Sequence, residues 1–121
     1  MREGFLVMIE QIIKRDGRTA PFELDKIANA IFGAAQSVGG QDYEMAHELA
    51  EQVEKELEKT VSEKIPTVEQ IQDTVETVLI ESGHARTAKK YILYRDERTR
   101  VREMNTRLIK VYEDLTFKSS I

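Results

Sequence analysis

The chain has 121 residues, with 18 lysines and arginines against 22 aspartates and glutamates, and a formal net charge of −4. This is the size of one domain, and the acidic balance excludes a global attraction to nucleic acid or to an anionic membrane. The absence of cysteine excludes disulfides, cysteine zinc sites and thiyl chemistry, and the early apolar run Phe5–Ile9 is too short to span a bilayer. We therefore expect a cytoplasmic protein without a membrane partner.

The first predicted element is a β-hairpin around Asp16 and Gly17. Both residues tolerate the positive φ angles of a type I′ turn, and extended segments flank them. Pro21 has no N–H to donate, so the returning strand is predicted to be an edge strand that ends there. Because two strands alone are only marginally stable, we expect the hairpin to pack on helices.

Four helices are predicted after the hairpin, because apolar residues repeat at helical spacing in four segments. The repeats are Ile27, Ile31, Ala34, Ala35 and Val38; Met45, Ala46, Leu49, Val53 and Leu57; Val68, Ile71, Val75, Val78 and Leu79; and Tyr91, Ile92, Tyr94, Val101, Leu108 and Tyr112. The first helix is predicted to end at Gly39-Gly40, and the second to begin at the N-cap Asp42. The third is predicted to begin at a Thr67–Gln70 capping box and to end at Ser82-Gly83. The fourth is predicted to begin near Ala85, and Thr116 to Ile121 to be an unstructured end. The predicted fold is mainly α, in the α+β class, with a β-hairpin packed on a four-helix bundle.

Charge is distributed unevenly over these elements. Eight acidic and three basic residues lie between Asp42 and Lys64, whereas nine basic and three acidic residues lie between Arg86 and Lys110. One interpretation is a solvated basic face on the last helix, paired with the acidic second helix. The other is that the last helix binds nucleic acid.

Catalytic and metal-binding patterns are not found in the sequence. His47 and His84 lie on different predicted elements, and neither has the spacing of a metal site. The sequence also has neither of the two common phosphate-binding glycine loops. We expect no catalytic residue and no metal ligand from protein side chains.

A local anion site is predicted where Lys14 and Arg15 precede the hairpin turn and Lys26 lies near the start of the first helix. Helix N-termini present unpaired amides and the positive end of the helix dipole, so these cations could converge on a polyphosphate. Neighbouring strand residues point to opposite faces, so Lys14 and Arg15 reach one ligand only if the turn aims them together. The alternative is that they are ordinary exposed residues beside a turn.

The motifs narrow this choice. The segment Ile12–Arg18, with Phe22 and Asp25–Ile27, closely resembles the opening motif of the ATP-cone, a nucleotide-sensing domain of many ribonucleotide reductases. The segment Pro66–Glu76 resembles its third-helix motif, and Ala88–Arg95 resembles its closing signature. Residues Arg102–Asn105 and Tyr112–Phe117 are similar to the junction into an anaerobic ribonucleoside-triphosphate reductase.

The resemblance implies an ATP-cone fold at residues 9–102, with the hairpin as a lid, and a helical extension and linker at 103–121 toward a catalytic domain. It implies ATP or dATP as effector, Mg²⁺ held mainly through the phosphates, and regulation of reductase activity, with a nucleotide-dependent homo-oligomer. The implied nucleotide-binding residues are Lys14, Arg15, Lys26 and Arg98 for phosphate, Ile12, Ala20 and Phe22 around the base or ribose, Thr67 and Gln72 for the base, and Glu23 at the sugar and cap position, where many relatives have Asp or Asn.

The alternative function is a stand-alone interaction or transcription-regulatory module whose basic last helix binds DNA. Family members that act as DNA-binding repressors carry a cysteine zinc ribbon, which this cysteine-free chain does not have.

Overall fold

A computed structural model of the chain describes residues 9–61 and 65–119. The elements are β1 (Gln11–Ile13), β2 (Thr19–Pro21), α1 (Leu24–Gln36), α2 (Tyr43–Val61), α3 (Val68–Glu81) and α4 (Ala85–Ser119). Residues 5–8 of the early apolar run and residues 120 and 121 of the predicted unstructured end lie outside the described ranges. The predicted order of one hairpin and four helices is confirmed.

Contacts divide the chain into two compact units, one ending at Tyr91 and the other beginning at Ile92. The first unit contains the hairpin, α1 to α3 and the first two turns of α4. Its core is built from the apolar stripes of these helices together with Ile9, and its members are Ile9, Ile27, Ala28, Ile31, Ala46, Leu49, Ala50, Val53, Leu57, Ile71, Val75, Val78, Leu79, Ala88 and Tyr91. Ile12 and Phe22 pack against this core, so the hairpin lies on the helices as expected.

The boundaries follow from local chemistry. The Asp42 carboxylate accepts the Met45 N–H at 3.1 Å and caps α2. The capping box of α3 is complete, because Thr67 Oγ1 accepts the Gln70 N–H at 3.1 Å and Gln70 Oε1 accepts the Thr67 N–H at 2.9 Å. Gly83 follows α3 with a φ of 86°, a left-handed conformation in which glycine carries no steric penalty.

Three expectations about the helices were wrong. Met45 is exposed because it lies about 100° around α2 from Ala46, outside the arc that faces the core. Val38 lies beyond the end of α1 at Gln36 and is only half-buried. The chain from Thr116 to Ser119 is helical, because no proline or glycine interrupts α4 there.

No helix in the described ranges combines the length and apolar character needed to cross a bilayer.

Candidate functional site

The hairpin tip differs from the predicted type I′ turn. Gly17 N–H donates to the Lys14 carbonyl at 2.9 Å, and Lys14 N–H donates to the Arg18 carbonyl at 2.7 Å, so Lys14 and Arg18 close a loop of three residues, 15–17. Gly17 takes the left-handed conformation, with a φ of 89°, as in the turn-plus-bulge loop of three-residue hairpins. In this loop Arg15 is a turn residue instead of a strand residue.

Arg15 connects the hairpin to the start of α3. Its guanidinium forms an ion pair with the Glu69 carboxylate and donates a second hydrogen bond, of 3.1 Å, to Gln72 Oε1. Glu69 and Gln72 are three positions apart and therefore lie on the same face of α3. Two predicted site residues, Arg15 and Gln72, are thus in direct contact.

The backbone of β1 also reaches the segment before α3. Ile13 N–H donates to the Pro66 carbonyl at 2.8 Å, and Ile13 pairs with Thr67 in a parallel bridge. This pairing brings Thr67, another predicted site residue, beside the hairpin. The Thr67 hydroxyl already accepts a hydrogen bond in the cap of α3, and its own proton remains available to an acceptor.

The three residues predicted to make apolar contacts with the base or ribose lie on one face of the hairpin. Ile12 is paired directly with Ala20, and Phe22, two residues after Ala20, extends the ladder by donating its N–H to the Glu10 carbonyl at 2.9 Å. Side chains two positions apart lie on the same face of a strand. Ile12, Ala20 and Phe22 are all half-buried, and Ile12 and Phe22 use part of this face to pack against the core.

Glu23 and Lys26 lie together at the start of α1. Glu23 is the N-cap residue, but its side chain makes no cap hydrogen bond, as expected for a poor N-cap. Its carboxylate lies 3.8 Å from the Lys26 ammonium instead. Lys26 is exposed, and within the described residues its ion-pair partner is Glu23.

Arg98 belongs to the second unit. Its guanidinium lies over the ring of Tyr94, one helical turn earlier, at 5.6 Å from the ring centroid. Its role as a phosphate ligand stays a prediction.

The charges at the hairpin tip are partly compensated. Asp16 accepts hydrogen bonds from the Arg18 backbone N–H at 3.0 Å and from Arg18 Nε at 2.9 Å. These bonds, together with the positive charges of Arg18 and Lys14, hold the pKa of Asp16 below its usual range. Within the described residues Lys14 forms no ion pair, so its ammonium is available to an anionic ligand.

A cavity of about 480 Å³ lies elsewhere in the first unit, lined by the end of α1, the beginning of α2 and the beginning of α4. Asp42, Arg86 and the buried Thr87 are among its polar lining residues. None of the predicted nucleotide-binding residues lines it. Among the described residues, no group of three or more His, Asp or Glu side chains is arranged to hold a metal ion.

Glu69 is the site residue that the sequence analysis missed. It occupies the second position of α3, where an acidic residue is commonly placed to complement the helix dipole. That local explanation gives no reason to connect it with Arg15. The pairing of Ile13 with Thr67 and the bond from Ile13 N–H to the Pro66 carbonyl bring the two residues together.

A family model described as the ATP cone domain matches residues 10–100. The chain belongs to the ATP-cone family. The resemblance of the hairpin and helix motifs is thereby confirmed, and the β-hairpin on four helices is the expected ATP-cone fold.

Curated relatives of this ATP-cone domain are ribonucleotide reductases of several kinds. The chain is 42% identical over 113 residues to a vitamin B12-dependent ribonucleoside-diphosphate reductase of Thermoplasma acidophilum, covering 89% of the chain and 14% of that protein. It is 36% identical over 110 residues to an anaerobic ribonucleoside-triphosphate reductase of Haemophilus influenzae, covering 91% of the chain and 15% of that protein. It is 38% identical over 101 residues to a ribonucleoside-diphosphate reductase subunit alpha of Chlamydia muridarum, covering 76% of the chain and 10% of that protein. The chain therefore matches only a small part of each of these three relatives.

Proposed function

We propose that this ATP-cone domain binds ATP or dATP between the hairpin tip, the start of α1 and the start of α3, and thereby regulates a ribonucleotide reductase. The observation that carries the proposal is the contact of Arg15 with Glu69 and Gln72. Arg15 directs one terminal nitrogen to a carboxylate oxygen and the other to an amide oxygen, and a phosphate can accept from the same two N–H groups. In this conformation, the Glu69 carboxylate is bound to the guanidinium to which a nucleotide phosphate would bind.

The phosphates would bind Lys14, Arg15 and Lys26. Lys14 and Lys26 are exposed, and Glu23 leaves the first amides of α1 without a side-chain cap. Uncapped amides and the positive end of the helix dipole favour an anion at this position. Mg²⁺ would arrive with the nucleotide and be held mainly by its phosphates, as Mg²⁺ commonly is.

The base and ribose would lie between the hairpin and α3. Gln72 uses its oxygen for Arg15, so its NH2 group can donate to a ring nitrogen of adenine. The Thr67 hydroxyl would provide a second polar contact, and the parts of Ile12, Ala20 and Phe22 that the core leaves exposed would contact the ring or the sugar. We retain Arg98 as a further phosphate ligand and Glu23 as the sugar-side residue.

Regulation requires that ATP and dATP stabilise two different states of the enzyme, because equal affinity for both states shifts no equilibrium. We propose that these states differ in the association of subunits of an anaerobic ribonucleoside-triphosphate reductase. The catalytic domain would lie in the parent protein outside this chain, and residues 103–121 would lead toward it. The acidic α2 and the basic part of α4 offer complementary charges for such contacts.

Titration calorimetry of the 121-residue chain with ATP, dATP, GTP and CTP tests the proposal. We expect saturable binding of the two adenine nucleotides in the presence of Mg²⁺ and much weaker binding of the other two. A separate assay should find no release of phosphate above a protein-free control. Failure to bind ATP and dATP would contradict the proposal. Binding to duplex DNA that falls steeply with salt, without nucleotide binding, would favour the DNA-binding alternative.

A further inference from the structure

The second unit carries a regular apolar stripe on α4. Val101, Met104, Leu108, Val111 and Leu115 follow one another at intervals of three, four, three and four residues. Each of these side chains is at least 50% exposed. Five large apolar residues on one exposed line are unusual, because isolated exposed apolar residues are normal but contiguous patches mark interaction sites.

The spacing indicates a helical partner rather than a globular one. Alternating intervals of three and four give a mean period of 3.5 residues. This is the period of the apolar residues at heptad positions a and d, which form the narrow contact line between paired helices. A helix packed on a globular core usually shows a wider stripe with a period of 3.6. Tyr112 flanks the stripe and Ile109 lies on another face, so the apolar pattern is concentrated along the seam.

We propose that this stripe, which we call the α4 seam, pairs antiparallel with the α4 seam of a second copy of the chain. In that arrangement Val101 lies opposite Val111 of the second copy, and Met104 lies opposite Leu108 of the second copy. The four positions from Val101 to Val111 then face apolar residues, whereas Leu115 lies opposite Glu97 of the second copy. The proposal does not depend on nucleotide binding, because every residue it uses belongs to the second unit.

The charges beside the seam favour the antiparallel direction. Arg100 then lies next to Asp114 of the second copy, and the twofold axis repeats this oppositely charged pair. Asn105 faces its own counterpart near the axis, where two amides can bond each other and fix the register. In a parallel pair, Arg100 and Arg107 would instead face Asn105 and Tyr112 of the second copy, without an acidic partner.

The association is expected to be weak and concentration-dependent. The α4 seam covers little more than two heptads, fewer than the three or four that usually define a stable coiled coil. The two Arg107 side chains also face each other near the axis, which opposes association. The dimer should therefore form at high protein concentration and dissociate on dilution.

Sedimentation equilibrium of the 121-residue chain, without nucleotide and from micromolar to millimolar concentration, tests the proposal. We expect the mean mass to rise from the monomer value of 13.9 kDa toward twice that value. Leu108→Glu should hold the mass at the monomer value, whereas the matched control Ile109→Glu, on the adjacent exposed position, should leave the association unchanged. Circular dichroism checks that both variants remain helical.

A charge exchange tests the direction of pairing. Arg100→Glu and Asp114→Arg should each weaken the association, and the double variant should restore it, because the pair is re-formed with its signs reversed. A monomer at every concentration, as expected if another part of a longer protein covers the seam, would overturn the proposal. Equal loss of association in Leu108→Glu and Ile109→Glu would overturn it as well. Failure of the double variant to recover would overturn the antiparallel arrangement.

Discussion

The Arg15 guanidinium at the hairpin tip is paired with the Glu69 carboxylate in the first turn of α3, although 54 positions separate the two residues. Their side chains are 31% and 48% exposed. An ion pair with this much solvent contact contributes about 0–1 kcal/mol to stability. In the proposed binding mode, a nucleotide phosphate would therefore replace the carboxylate at little cost, and Glu69 would compete with the nucleotide for Arg15.

Glu69→Gln tests this competition. The variant removes a negative charge from the arginine and from the neighbourhood of the phosphates, so we expect ATP to bind more tightly, by up to about fivefold. Calorimetry measures the change. The control is Glu81→Gln, an exposed position at the other end of α3, which should leave the affinity as it is. Unchanged or weaker binding in Glu69→Gln would show that Glu69 does not compete.

Lys14→Ala and Lys26→Ala test the phosphate ligands. Each should weaken ATP binding by about 1.5–3 kcal/mol, the usual contribution of a hydrogen bond to a charged group. Both side chains are exposed, so circular dichroism and the free energy of unfolding should hardly change. Lys55→Ala, an exposed lysine on α2, serves as the control. If both site variants bind ATP as tightly as the control does, these lysines are not the ligands.

The core makes a separate prediction about stability. Leu79 has no solvent exposure, whereas its neighbour Ile80 is 55% exposed. Leu79→Ala should lower the free energy of unfolding by about 2–5 kcal/mol, because it leaves a cavity between packed helices. Ile80→Ala should change it by no more than about 0.5 kcal/mol. Urea denaturation of both variants measures the difference, and similar losses would contradict the burial of Leu79.

Glu54 makes a prediction about pH. Partial burial, and then the charges of Glu58 and Glu51, raise the pKa of this carboxyl above its ordinary value of 4.5. The folded state therefore binds the Glu54 proton more tightly than the unfolded state does. This proton binding stabilises the fold when the pH is below the ordinary pKa of the carboxyl, and the stabilisation is lost as the pH rises through the raised pKa of the folded state. Glu54→Gln should be more stable than the parent at neutral pH, by roughly 0.5 kcal/mol.

The pH series supplies its own control. The stability difference between Glu54→Gln and the parent should disappear at about pH 3, where Glu54 is protonated in both the folded and the unfolded chain. Denaturation at several pH values measures it. A constant difference from pH 7 to pH 3 would mean that packing, rather than charge, separates the two proteins.

Features that depend on residues close in sequence could be predicted. The Thr67–Gln70 capping box and the Asp42 cap follow from side chains that bond amides three positions away, and both are present. β2 ends at Pro21 as predicted, although the Phe22 N–H still donates to the Glu10 carbonyl beyond it. Local spacing predicts the helices and the hairpin but not the ATP-cone fold, which was predicted from the family motifs.

The geometry of the site required tertiary information. Asp16 and Gly17 suit both a two-residue and a three-residue hairpin loop, and the choice determines where Arg15 points. The contact of Arg15 with Glu69 depends on the pairing of Ile13 with Thr67, which no local pattern encodes. The continuation of α4 to Ser119 also exceeded the prediction, because polar sequence without a breaker is compatible with both helix and coil.

The central claim is that an adenine nucleotide binds at the junction of the hairpin with α1 and α3, and amide chemical-shift mapping of the labelled chain during titration with ATP tests it most directly. The account predicts saturable shifts concentrated at residues 12–26 and 66–72, with small changes around Asp42 and Arg86. Shifts centred on the cavity lined by Asp42, Arg86 and Thr87, or no saturable shifts at all, would contradict it.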